Sequence, residues 1–186
     1  MEVKVIDNFL DQSTFKDLEE FIMGEEFPWY FNPRVVFEDE KGNIFQFTHM
    51  FYREMGEGYQ TITSNNFKLL TPITKKLRIK VLIRVKANLL TQTSKKVETE
   101  FHIDLDPYTM SSGRKVLSSS VVKKLKPYTT SILYMNTNNG YTKFEDGTIV
   151  KSEANRMVTF PASMRHLGAT CTDQQSRVVI NFNYIK

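Results

Sequence analysis

The chain has 186 residues, 40% hydrophobic and 25% charged, which is the composition of a globular domain and excludes a disordered or fibrous one. One cysteine, Cys171, excludes an internal disulfide and a cysteine-rich zinc site, and any nitrogen-rich metal site must draw on His49, His102 and His166. The net charge of +4 is unevenly spread: residues 1–26 hold eight acids against two bases, and residues 68–96 hold nine bases and no acid.

That basic stretch is either a solvated face or a steering surface for an acidic partner or nucleic acid. The segment Met1 to Asp7 has neither a basic leader nor an apolar one, and no apolar run is long enough to span a bilayer. The expectation is a soluble cytoplasmic protein with no membrane partner. No repeat or linker divides it, so residues 1–186 are read as one domain, with helical support over 1–80 and a β core over 81–186.

Residues 12–23 predict an amphipathic helix with Phe15, Leu18, Phe21 and Ile22 on one face, capped by Asp11 and stopped by Gly24. A second helix is expected over 65–79, its regular part starting with Thr71 as cap and Pro72 in the first position. Strands are expected at 34–38, 43–52, 81–90, 98–104, 130–136, 147–150, 156–160 and 177–185. Turn signals at 41–43, 138–140 and 146–147 separate several of them. Helices followed by many short strands predict a mainly β fold with supporting helices. Residues 107–127 read as a long basic loop or hairpin insertion, with five bases and no acid.

The chemistry gathers around Glu100-Phe101-His102-Ile103-Asp104-Leu105-Asp106. On a strand, His102 and Asp104 leave the same face and can share one metal ion. A third ligand is needed, and His166, after the apolar run Met157 to Pro161, is the natural candidate. Two imidazoles and a carboxylate suit non-haem Fe(II), with positions open for a co-substrate and O2. The other readings are a surface hydrogen-bonded His-Asp couple and a lone strand-end histidine. Arg177 opens the last strand, where alternation puts Arg177, Val179, Asn181 and Asn183 opposite Val178, Ile180, Phe182 and Tyr184. An arginine on that partly apolar face calls for an anion, and its planar fork suits a carboxylate.

His102-x-Asp104, then His166, then Arg177 resembles the order found in the Fe(II)- and 2-oxoglutarate-dependent dioxygenases. Residues 85–90, 130–136, the hairpin from Asn139-Gly140 to Asp146-Gly147 and the passage from Arg156 to His166 resemble further parts of that family. The likeness covers roughly 80–185 and is to small prolyl 4-hydroxylase-like members of bacteria and their viruses. It implies a double-stranded β-helix, a cupin-like jelly roll, with iron at its open mouth. His102, Asp104 and His166 would be the catalytic metal ligands, and Arg177 would pair with the distal carboxylate of 2-oxoglutarate. Tyr134 would meet the same carboxylate, or else be a core tyrosine. Asn88 would contact the co-substrate near the metal, or else be a strand asparagine bonded to backbone.

Leu90 stands where many members have tyrosine, and Val179 is apolar where a second polar residue is common, leaving Asn181 to serve. The pattern His102, Asp104, Asp106 matches the nucleic-acid demethylase branch, but Arg177 to Asn183 lacks that branch's arginine-rich strand. The resemblance implies C–H hydroxylation of a protein or peptide side chain, with conversion of 2-oxoglutarate and O2 to succinate and CO2. The alternatives are a small-molecule or nucleic-acid substrate, or a non-catalytic jelly-roll binding module. Residues 107–127 would be the substrate lid. His49 is expected to be a satisfied core or rim histidine, Trp29-Tyr30-Phe31 a packing segment, and Cys171 a small buried hydrophobe.

Overall fold

A computed structural model describes residues 2–35, 44–54, 61–105 and 127–186. In chain order the strands are β1 (Lys4–Ile6), β2 (Tyr30–Asn32), β3 (Gln46–Arg53), β4 (Ile62–Thr63), β5 (Val81–Thr91), β6 (Tyr128–Tyr134), β7 (Tyr141–Phe144), β8 (Ile149–Lys151), β9 (Met157–Pro161), β10 (His166–Gly168) and β11 (Ser176–Ile185). Helix α1 spans Gln12–Met23; a 3-10 helix over Asn65–Leu70 runs into α2 (Thr71–Leu77).

Among the described residues the strands form two sheets. The larger has the order β1-β9-β6-β11-β5-β3-β2, with β4 beside β3, and the smaller has the order β10-β7-β8. The alternation expected of the last strand is what layers the molecule. Val178, Ile180, Phe182 and Tyr184 of β11 join Phe15, Leu18 and Ile22 of α1 and Ile73 and Leu77 of α2 in the main core. The opposite face meets the small sheet, where Ile132, Tyr134, Phe160 and Val179 pack with Phe144 and Val150. β11 is therefore buried on both sides from Arg177 to Tyr184. Two facing antiparallel sheets with helices behind the larger are the jelly roll expected from the sequence.

Helix α1 has the expected bounds. The Asp11 side chain accepts from Thr14 N, and Phe15, Leu18 and Ile22 are buried. The second helix divides. Ser64 caps the 3-10 turn, and Thr71, already helical, bonds its hydroxyl back to the Lys68 carbonyl instead of capping. Pro72 still falls in the first turn, where its missing N–H costs nothing.

Two expected strands are revised. Residues 98–104 form only isolated bridges, Glu98 to Ala169 and His102 to His166. At 34–38 the described residues Arg34 and Val35 are not strand. The edge strand is Tyr30–Asn32, and the Asn32 side chain accepts from Arg34 N in a turn around Pro33 that ends it. Residues 36–38, the turn at 41–43, Asp106 and residues 107–126 of the basic insertion lie outside the described residues.

The first 80 residues supply strands as well as helices, since β1 pairs with β9 and β3 with β5. Trp29 packs on the main core, whereas Tyr30 and Phe31 are each 63% exposed. His49 is buried, bonded to the Pro28 carbonyl and the Ser64 hydroxyl, as a satisfied core histidine should be. Cys171 is buried. Among the described residues no helix is long and apolar enough to cross a membrane.

Candidate metal and anion site

One cleft between the two sheets collects most of the residues singled out above. Its walls include Lys86, Asn88 and Leu90 of β5, Val179 and Asn181 of β11, Thr142 of β7 and Gly168 of β10. His102, Asp104, His166 and Arg177 line it as well.

The two histidines meet because their backbones do. His102 N donates to the His166 carbonyl, and His166 N to that of His102, each at 3.0 Å. Residues directly opposite in an antiparallel bridge put their side chains on one face, and the ring centroids lie 4.8 Å apart. Asp104 is at a bend just past the bridge, not on a strand, and its Oδ1 still lies 4.0 Å from His102 Nε2. One ligand atom from each of the three residues falls within 4.8 Å of the others.

The donor set fits a divalent metal. His102 Nδ1 lies 3.0 Å from the Glu100 carbonyl, and His166 Nδ1 lies 3.2 Å from the Met164 carbonyl. A carbonyl only accepts, so each Nδ1 carries the proton and each Nε2 presents a lone pair. Burial, helped by the neighbouring His166, holds the His102 imidazole down to about 4 and so keeps it neutral. Burial works to raise the Asp104 pKa, but Arg84 and the two histidines overcome it and hold the carboxyl below its usual range. Arg84 Nη2 stands 3.2 Å from Asp104 Oδ1. Asn181 Nδ2 and Asn183 Nδ2 donate to Asp104 Oδ2 at 3.2 and 3.3 Å. A carboxylate offers about four lone-pair directions, so room is left for a metal.

Arg177 is 4% exposed, and none of the described acids pairs with it. Its Nε donates to Ser152 Oγ at 2.8 Å and its Nη2 to Thr142 Oγ1 at 3.1 Å. A buried guanidinium held by two neutral hydroxyls has the charge and the donors to receive an anion. Gly140 makes the space: a Cβ there would fall 2.7 Å from Arg177 Cδ.

Tyr134 stands behind the cleft wall. Its ring lies 5.5 Å from Arg177 Cζ and its hydroxyl donates to Thr142 Oγ1 at 2.8 Å. Thr142 thus accepts twice and keeps its own hydrogen for a ligand. Asn88 is on the wall, with Nδ2 3.4 Å from the Lys86 carbonyl.

Sequence reading missed Thr142, Ser152, Arg84 and Asn183. The period of two could have found Arg84, which shares a strand face with Asn88, and it had already set Asn183 beside Asn181. Thr142 and Ser152 come from the short strand β7 and the turn after β8, where no pattern marks them.

No protein-family model matches the sequence, and no curated protein does either. Solved structures do match in fold. A 2OG-Fe(II) oxygenase family oxidoreductase from Burkholderia pseudomallei superposes with a TM-score of 0.61 at 10% identity, covering 98% of this chain and 84% of that one. The viral collagen prolyl hydroxylase of Paramecium bursaria Chlorella virus-1 gives 0.56 at 14% identity, covering 100% and 90%. A Trichoplax adhaerens prolyl hydroxylase, in complex with a hypoxia inducible factor peptide fragment, gives 0.54 at 12%, covering 98% and 83%. The fold of this chain is that of the 2OG-Fe(II) oxygenases.

Proposed function

We propose that this chain is an Fe(II)- and 2-oxoglutarate-dependent oxygenase that hydroxylates a C–H bond of a protein or peptide side chain. The balance is one O2 and one 2-oxoglutarate consumed, one hydroxylated product, one succinate and one CO2 released. The observation that carries the reading is the joint occupancy of one cleft by a His-Asp-His donor set and a buried arginine without a carboxylate partner among the described residues. The prolyl hydroxylases among the structural neighbours support a peptide substrate.

His102, Asp104 and His166 would hold the iron, which when bound supplies the activation of O2 that no side chain here can supply. The protein's own part is binding and orientation. His102 and His166 present Nε2 because their Nδ1 protons are committed to carbonyls. Arg84 and the two asparagines keep Asp104 anionic. Arg177 would receive the distal carboxylate of 2-oxoglutarate, with the Thr142 hydroxyl as a further donor. Tyr134 would act through Thr142. Leu90, Ile132, Leu167 and Val179 give the cleft apolar walls.

An anaerobic titration with Fe(II) and 2-oxoglutarate tests the reading. The weak visible band of an Fe(II)–keto-acid chelate should appear in the wild type and be lost in His102→Ala. Arg177→Ala should bind the metal but require far more 2-oxoglutarate. No band and no succinate from folded protein would instead support the binding-module reading.

A further inference from the structure

Lys86 is the cation of the described cleft wall that the proposed function leaves unused. Arg84, Lys86, Asn88 and Leu90 share one face of β5 by the two-residue period of a strand. Arg84 is turned onto Asp104, while Lys86 lines the cleft. Among the described residues Lys86 makes no ion pair and its ammonium no hydrogen bond; the one carboxylate acting on it is Asp104, already held by Arg84 and two asparagines.

Beside it stands a second unfilled group. Asn181 faces Lys86 across the β5–β11 ladder and is 9% exposed. Its Nδ2 is spent on Asp104, and its Oδ1 is buried with no hydrogen-bond partner. Flipping the amide would set Oδ1 against the carboxylate, so the acceptor stays where it is. A cation and an acceptor left open side by side ask for a ligand that carries an anion and an N–H.

Lys86 is also remote from the anion site at the other end. Arg177 pairs with Leu90, and Lys86 lies four residues further along β5, about 13 Å at roughly 3.3 Å per residue. The backbone of Lys86 is thus set toward the Asp104 end of the cleft wall, four residues of β5 away from the position paired with Arg177.

We propose that Lys86 selects the substrate by receiving its carboxylate, with Asn181 Oδ1 accepting an N–H, so that the site takes an acidic peptide or an amino acid in preference to a neutral one. This rests on the oxygenase reading and extends it to the substrate. Arg84 already offsets Asp104 and the co-substrate offsets Arg177, so Lys86 leaves surplus positive charge that favours an anionic arrival.

The test uses the full chain loaded with Mn(II) and 2-oxoglutarate, which binds without turning over, and reads affinity by calorimetry. The probes are end-blocked proline peptides carrying glutamate, glutamine or lysine beside the proline, free proline and free glutamate each against its α-amide, and a single-stranded oligonucleotide. The expected result is binding of one acidic probe about tenfold or more tighter than its neutral counterpart. Lys86→Met should erase that preference and Lys86→Arg should keep most of it. A preference among the blocked peptides assigns the carboxylate to a side chain; one confined to the free amino acids assigns it to the α-carboxylate. Failure of every acidic probe to bind more tightly than its neutral counterpart overturns the proposal, as does a preference that survives Lys86→Met. So does weaker 2-oxoglutarate binding in Lys86→Met, which would place Lys86 with the co-substrate, or tighter binding of an oligonucleotide than of any peptide. A wild type that binds neither Mn(II) nor 2-oxoglutarate would overturn the oxygenase reading itself.

Discussion

Asp104 has its charge balanced by Arg84, and removing Arg84 would strand a buried anion. Arg84→Met should destabilise the metal-free protein by about 3 kcal/mol, the usual cost of breaking a buried pair. A bound dication would take over as counter-charge, so the loss should shrink when Mn(II) is present. Urea unfolding with and without Mn(II) checks this; equal losses in both would mean that Arg84 acts elsewhere. His102 makes the metal-free protein sensitive to mild acid. Its folded value of about 4 lies below the roughly 6.5 of an unfolded histidine. Between those values the unfolded chain takes up a proton that the folded chain refuses, so stability falls as pH drops from about 6.5 to 4 and then levels, by on the order of 3 kcal/mol. The depressed Asp104 works in a lower window: its contribution is full above about 4 and is lost only in stronger acid. Chelator-treated protein should lose urea resistance between pH 7 and pH 5, and His102→Gln should lose that slope; a flat wild-type profile would show that the folded imidazole binds its proton as readily as the unfolded one.

At the scale of elements, the turn into β7 sets the space around Arg177. A methyl at Gly140 would press on Arg177 Cδ, Asn138 Oδ1 and the Ala169 carbonyl, all within 2.9 Å. Two of the three cannot easily yield, so Arg177 must shift. Gly140→Ala should raise the 2-oxoglutarate Kd about tenfold while leaving Mn(II) affinity near that of the wild type, read by anaerobic titration. A parallel loss of metal would show that the turn supports the whole cleft. The same scale shows what the sequence makes legible. The last strand could be read to the residue because its two faces are chemically opposite, apolar toward the helices and polar toward the cleft. The segment 98–104 could not, because its chain makes single bridges and His102 is placed by the partner strand instead of by its own periodicity. Edge strands β1 and β2 escaped for a related reason: Val5, Ile6, Tyr30 and Phe31 are all exposed, so no buried face imprints an alternation. His102, Asp104, His166 and Arg177 were readable as an ordered set. Ser152 and Thr142 were not, since a hydroxyl becomes an anchor only by what the fold sets opposite it.

At the scale of the molecule, the two ends of the large sheet, β1 and β2, both come from the first 32 residues, with the later strands between them. The N-terminal region is therefore sewn to the core at both sides, as the Asn155 side chain shows by bonding both the N–H and the carbonyl of Leu10. Unfolding should be a single transition, with backbone and aromatic circular dichroism superimposing in urea; two separated transitions would show that the helical region melts independently. The placement of β11 also sets a timetable. It lies at the heart of the sheet, between β5 and β6, yet comes last in chain order among the described strands. Until it is made, β5 and β6 have no strand to join them, and the nascent chain holds His102, Asp104 and His166 but not Arg177, Asn181 and Asn183. A chain caught before β11 is made therefore lacks the wall shared by both ends of the cleft, and the growing polypeptide acquires the pocket in one late step.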